Sequence, residues 1–233
     1  MKNLGIAFCS IRPKQLTDSI CDSRESEYLL CLKQLIRVLP YSYDLIIVDN
    51  TISSFEDLKN VELINFLQKQ NFIIVGNNIG EKNKGLGELH MLKTICDSHD
   101  ILQYKNITYI TARRIFTCPY FFEKTELLSK PKQALLCNPD FLYLDGRFAE
   151  SNKQNMYNDM IFSMTSDLMK KYADYSMDRV NYLTSVKKGS EQNLFDFVQE
   201  NSIDFEWVKW IGLIRNDWEI DYKTSETKNF HIN

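Results

Sequence analysis

Asp44-Leu45-Ile46-Ile47-Val48, running into Asp49-Asn50-Thr51, is the stretch on which the fold turns. Four apolar residues in succession do not alternate. They suit a strand covered on both faces, and such strands belong to parallel sheets with helices above and below. Two similar runs flank it. Leu4 to Cys9 precedes it, across a segment (Ser26 to Leu39) whose Leu29, Leu32, Leu35, Ile36 and Leu39 recur at helical spacing and which Pro40 closes. Phe72 to Val75 follows it, across a helical pattern from Leu58 to Gln68, and stops at Gly76-Asn77-Asn78.

Beyond a loop carrying Gly80, Gly85 and Gly87, the pattern predicts a helix over Glu88 to Cys96 and a strand over Ile107 to Ile110. Shorter strands follow at Ala134 to Cys137 and Phe141 to Leu144. This alternation implies an α/β protein whose mostly parallel central sheet is flanked by helices and binds ligands at the carboxyl ends of its strands. The carboxyl-terminal half is less regular. Asn155 to Tyr172 reads as one long Met-rich helix, Glu191 to Asn201 as another, and Phe205 to Ile214 as an apolar segment of unassigned type. Without a repeat or low-complexity linker, the expectation is one Rossmann-like domain over 1–233.

With 233 residues, 44% apolar and 12% aromatic, the chain can bury a substantial core. Its 28 basic and 31 acidic residues give a formal charge of −3, so there is no global cationic field to attract nucleic acid. Any anion must be gripped locally. The first apolar run breaks at Arg12-Pro13, too early for a secretory signal, and no window has the roughly 18 consecutive apolar residues of a spanning helix. The six scattered cysteines form no CxxC pair and fit reduced thiols. A cytoplasmic protein with at most peripheral membrane contact is expected.

In a parallel sheet the residues just after each strand share one crevice. Here they are Ser10-Ile11-Arg12, Asp49-Asn50-Thr51, Asn77-Asn78 with the glycine loop, and Thr111-Ala112-Arg113-Arg114. Asp49 can accept from a base or ribose, or cap a turn. The loop from Asn77 to Glu88 offers Lys82 and Lys84 as cations and glycines that permit close backbone approach. A phosphate-cradling P-loop is excluded, because Leu86 and Gly87 stand where Lys and Ser or Thr are needed; a dinucleotide fingerprint is excluded because Gly85-x-Gly87 follows the third strand. In Tyr109-Ile-Thr-Ala-Arg-Arg-Ile-Phe116 two arginines end an apolar strand. Such a pair faces either a carboxylate such as Glu88 or an anionic ligand, which arginine binds bidentately.

These residues, with "IIVDN" (Ile46 to Asn50), "NKGLGELHML" (Asn83 to Leu92) and "YNDMIFSM" (Tyr157 to Met164), resemble bacterial GT-A-type glycosyltransferases of surface polysaccharide synthesis, which have the nucleotide-diphospho-sugar transferase fold. The resemblance implies a nucleotide-binding half at about 1–115 and an acceptor-side half at about 116–233. It implies transfer from a nucleotide-diphospho-sugar or CMP-sugar donor to a glycan or lipid-linked glycan acceptor of capsule or lipopolysaccharide. Ser10, Arg12, Asp49, Asn50, Asn78, Lys84, Gly85, Glu88, Thr111, Arg113 and Arg114 would hold the donor. Relatives commonly carry an Asp-x-Asp metal motif where this chain has Thr111-Ala112-Arg113-Arg114, so the expectation is that no metal cofactor is required and that arginines neutralise the diphosphate.

An inverting transferase needs a carboxylate to take the acceptor's proton. Asp159, read as lying near a helix start, and Glu191 are the candidates, and helix capping is the alternative for each, with Ser190 as N-cap of the second. The stripe Met156, Met160, Phe162, Met164, Leu168 and Met169 fits core better than an acceptor groove. Trp207, Trp210 and Trp218 fit core, sugar stacking or a membrane interface. The other readings are a sugar-phosphate nucleotidyltransferase, which would want a glycine-rich first loop, and a catalytically inactive GT-A-like domain that binds a partner or glycan.

Overall fold

The computed structural model describes residues 1–77, 79–81, 83–128, 133–137, 157–186, 189–208, 211 and 213–214. The strand expected at Phe141 to Leu144, and Asn78, Lys82, Met156, Trp210 and Trp218, lie outside them. The chain runs β1 (Asn3–Cys9), α1 (Asp18–Val38), β2 (Tyr43–Asp49), α2 (Val61–Leu67), β3 (Phe72–Ile74), α3 (Lys84–Ser98), β4 (Asn106–Thr111), β5 (Ile115–Phe116) and α4 (Tyr120–Glu126). Then come β6 (Gln133–Cys137), β7 (Asn158–Thr165), α5 (Ser166–Asp178), α6 (Val180–Ser185), α7 (Ser190–Glu200), β8 (Asp204–Val208) and β9 (Leu213–Ile214).

Seven strands form one sheet in the order β3-β2-β1-β4-β7-β6-β8, and β5 pairs with β9 in a separate ribbon. β1 is parallel to β2 and β4, β2 to β3 and β6 to β8; among the described strands of the seven-stranded sheet only β7 runs against its neighbours. This is the mostly parallel, helix-flanked sheet expected. The apolar runs behave as read: β1 and β4 are buried at every residue. Alternate residues feed two cores. Leu4, Ile6, Phe8 and Tyr109 pack with Leu89, Leu92 and Ile95 of α3, and with α5 and α7. Ala7, Cys9, Ile47 and Ile110 pack with Leu29, Leu32 and Leu35 of α1, and with α2 and α4. A stack of rings, Phe8 to Tyr109 at 4.3 Å and Tyr109 to Phe162 at 4.7 Å, crosses β1, β4 and β7.

Some elements differ from expectation. The region read as one helix from Asn155 to Tyr172 is strand β7 followed by helix α5. Met160, Ile161, Phe162 and Met164 are all buried, and a run apolar on both sides carries no period that separates a buried strand from a buried helix. The Met stripe is core in its described part. Helix α1 starts at Asp18 and not near Ser26; the polar stretch Asp22 to Glu27 shows no apolar period, yet the fold buries Arg24, Glu25 and Glu27 there. The unassigned segment from Phe205 resolves into β8 and β9, with Trp207 packed edge-on against Tyr157 and Phe205.

Candidate active site

Strand order reverses between β1 and β4, so the carboxyl ends of β1, β2 and β4 open onto one crevice. A cleft of about 260 Å³ lies there. Ser10, Asn50, Thr51, Gly80, Lys84 and Arg113 line it, and Arg24 of α1 forms part of its wall. The structure thus brings together Ser10, Asn50, Lys84 and Arg113 of the residues singled out from sequence. Arg24 was not among them. It sits in the polar run Asp22-Ser-Arg-Glu-Ser-Glu27, where no apolar period or motif marks it.

Several other candidates are placed differently. Asp49 has no exposed surface. Its Oδ2 accepts from the Ile11 amide at 2.7 Å, and its Oδ1 accepts from the Thr51 amide at 2.6 Å, the Thr51 hydroxyl at 2.8 Å and the Ile52 amide at 3.0 Å. Burial pushes this carboxyl up against the opposing pull of those donors. Asp49 thus ties together the loops after β1 and β2, and it is not among the residues that line the cleft. Arg12 is likewise turned away, paired with Asp18, Asp22 and Glu25 of α1, with its side chain only 11% exposed. Glu25 in turn accepts from the Lys59 and Asn60 amides at 2.9 and 2.6 Å.

The arginine pair divides. Arg113 Nε donates to Glu27 Oε2 at 3.0 Å and its Nη2 lies 2.9 Å from the same oxygen, while the side chain still reaches the cleft wall. Arg113 thus has both a carboxylate partner and a place in the cleft, although the partner is Glu27 and not Glu88. Arg114 has a buried Nε without a hydrogen-bond partner among the described residues. Thr111 is the buried last residue of β4.

The two carboxylates considered as bases lie beside this crevice. β7 is antiparallel to β4 with Ile161 opposite Ile110, so its first residues fall at the carboxyl end of β4. Opposite β6 the register slips: Leu136 faces Phe162 and Cys137 faces Asn158, one step along β6 against four along β7. This bulge lets consecutive Met160 and Ile161 both join the α1-side core, while Asp159 accepts a hydrogen bond from the Ser190 hydroxyl at the start of α7. Asp159 is therefore a strand residue and not the cap of a helix start. Gly189, not Ser190, is the N-cap of α7.

Burial raises the Asp159 carboxyl to about 7, with the charges of Glu191 and Glu88 adding to the effect and Ser190 and Lys84 opposing it. Glu88 is nearly buried, accepts from the Tyr109 hydroxyl at 2.7 Å and pairs with Lys84 at 3.4 Å. Lys84 thus stands between the cleft and the acidic residues. Among the described residues no group of three or more His, Cys, Asp or Glu side chains is arranged to hold a metal ion. None of their helices is long and apolar enough to cross a membrane.

The glycines expected near a ligand serve the protein's own packing. A Cβ on Gly85 would lie 2.6 Å from the Ser190 amide nitrogen, and one on Gly87 would lie 2.8 Å from both Asn50 Nδ2 and Gly80 Cα. Close approach is needed here between α3, α7 and the loop after β3.

No family model matches the sequence, and no curated protein matches it. Among solved structures the chain is similar to 4-diphosphocytidyl-2C-methyl-D-erythritol synthase from Anaerococcus prevotii DSM 20548. The TM-score is 0.52 and the identity 16%, over 89% of this chain and 86% of that one. It also matches a protein of Desulfovibrio desulfuricans G20 assigned as a nucleotide-diphospho-sugar transferase, at TM-score 0.49 and 12% identity, over 90% and 81% of the two chains. At such identities likeness shows the fold and not the activity. The fold conclusion rests on the first of the two.

Proposed function

We propose that the chain is a glycosyltransferase that takes its sugar from a nucleotide-diphospho-sugar or CMP-sugar. The observation that carries this reading is the cleft at the strand-order reversal, walled by Ser10, Asn50, Lys84 and Arg113. In this fold the crevice is where nucleotides sit, and fixed cations there stabilise charge building on a departing phosphate. Asp159 is the acceptor-activating base, raised toward neutrality so that it both ionises and holds a proton near pH 7. Glu191 is the neighbouring carboxylate that helps tune it. The acceptor class is a glycan or lipid-linked glycan of the bacterial surface, and no metal is required.

Thermal-shift measurements with UDP, GDP, CMP and dTDP, each with and without Mn²⁺, test this reading. Stabilisation by one of them is expected, and no shift with any would count heavily against a transferase and favour a silent partner- or glycan-binding domain. An equal shift in wild type, Arg113→Ala and Arg114→Ala would remove both arginines from the donor site.

The second reading is a sugar-phosphate nucleotidyltransferase, supported by the fold shared with the 4-diphosphocytidyl-2C-methyl-D-erythritol synthase. That chemistry joins a nucleoside triphosphate to a phosphate and releases pyrophosphate. Ser10 to Leu16 contains no glycine to wrap a triphosphate, which favours transfer of the sugar. Pyrophosphate release from a nucleoside triphosphate and a sugar phosphate would reverse that preference.

A further inference from the structure

The three arginines near the carboxyl end of β1 differ in how their charges are met. Arg12 has three carboxylates and Arg113 has Glu27. Arg24 has none within 4.0 Å among the described residues. Its exposure is 7%, its Nε donates to the Ile11 carbonyl at 3.4 Å, its Nη2 donates to the Ser10 carbonyl, and its guanidinium lies 5.7 Å from the Tyr28 ring centroid. The acids nearest in sequence are committed elsewhere: Asp22 and Glu25 to Arg12, and Glu27 to Arg113.

Carbonyl oxygens and a ring face satisfy hydrogen bonds but put no carboxylate in direct contact with the charge. For a nearly buried guanidinium this is costly unless an anion completes the site. Arg24 is also a wall of the cleft, so the position from which an anion would meet it is the position a ligand enters. Asn50 also lines the cleft, is 1% exposed, and among the described residues its Oδ1 has no hydrogen-bond partner. Arg24 therefore calls for an anionic group and Asn50 for a hydrogen-bond donor. A nucleotide offers both, in its phosphate and in its ribose hydroxyls or base N–H groups.

We infer that Arg24 is the residue that binds the ligand's phosphate in this cleft, with Asn50 accepting a hydrogen bond from the nucleoside part. Arg113 and Lys84, already paired with Glu27 and Glu88, then reinforce the phosphate's surroundings. The inference rests on the reading of the cleft as a nucleotide site. It goes further in naming the contact that senses the phosphate.

Calorimetric titration tests it, using the nucleotide that stabilises the wild type and the corresponding nucleoside without phosphate, against wild type, Arg24→Gln and Arg24→Lys. Arg24→Gln is expected to weaken the nucleotide by about tenfold or more, to leave nucleoside affinity within about twofold, and so to collapse the nucleotide-to-nucleoside ratio. Arg24→Lys is expected to recover part of that ratio. Equal loss of nucleotide and nucleoside would mean that Arg24 only braces the Ser10 and Ile11 carbonyls, and would overturn the inference, as would an unchanged ratio. Should Arg24→Gln fail to fold, the ratio in Arg24→Lys decides: a value identical to wild type would overturn the assignment, and a several-fold drop from its poorer fork geometry would uphold it. Wild type that binds none of the nucleotides would instead remove the underlying site reading.

Discussion

At the scale of single residues, Asp159 gives the sharpest test, because the same shift acts on activity and on stability in opposite directions. Its carboxyl is raised from 3.8 to about 7 in the folded chain, so folding favours its protonated form. That contribution to stability is fully present below pH 4 and is lost as pH rises through 7. In the proposed role a base must be ionised, so turnover should rise over the same upper range. Between pH 5 and pH 8, denaturant unfolding of wild type should lose on the order of 2 kcal/mol relative to Asp159→Asn. Turnover by Asp159→Asn should be lower by about 10² to 10⁴. Parallel stability profiles for the two proteins would mean that the carboxyl is not raised. The residues of the cleft were legible where a strand end marked them, as with Ser10, Asn50 and Arg113. Arg24 was not, because a helix turn made of Asp, Ser, Arg and Glu looks solvated until the fold shows it buried.

At the scale of elements, the contact between α3 and α7 decides whether Asp159 meets Ser190 at all. Gly85 lets the two helices touch, and a methyl group there would stand 2.6 Å from the Ser190 nitrogen and 3.1 Å from Gly189 Cα. Those are backbone atoms and cannot swing away. Gly85→Ala should therefore destabilise the protein by about 1 to 3 kcal/mol and reduce turnover more than donor binding, since α7 carries the Asp159 partner. Gly80→Ala is the matched control: its Cβ would meet Gly87 Cα at 3.4 Å, an ordinary contact, and a change within about 1 kcal/mol is expected. Equal losses in urea titrations of the two variants would contradict this account of the glycines. From sequence, Gly85 and Gly87 argued against helix at this point, so α3 was read as starting at Glu88 when it starts at Lys84. Strands β1, β2 and β4 were readable because they lie inside a helix-covered sheet, and the half-buried edge strand β3 because Gly76-Asn77 ends its short apolar run; β7 was not, since its apolar run fits either kind of buried element.

At the scale of the whole molecule, the two cores are joined through the sheet. Leu4, Ile6 and Phe8 of β1 belong to the α3 side, while Ala7 and Cys9 belong to the α1 side. A strand cannot leave one core and stay in the other, because successive side chains point to opposite faces. The cleft takes residues from both sides as well, with Arg24 on α1 and Lys84 on α3. Two consequences follow from the sharing. Thermal unfolding followed by far-ultraviolet and near-ultraviolet circular dichroism should give one coincident transition, the two-state behaviour of a single cooperative unit. A nucleotide at about 100 times its dissociation constant should then shift that whole transition, adding about 2.7 kcal/mol and raising Tm by about 5 to 10 °C. Should the two probes separate, with the nucleotide moving only one of them, the halves would be unfolding independently, and the cleft could not draw both faces of the sheet into one binding event.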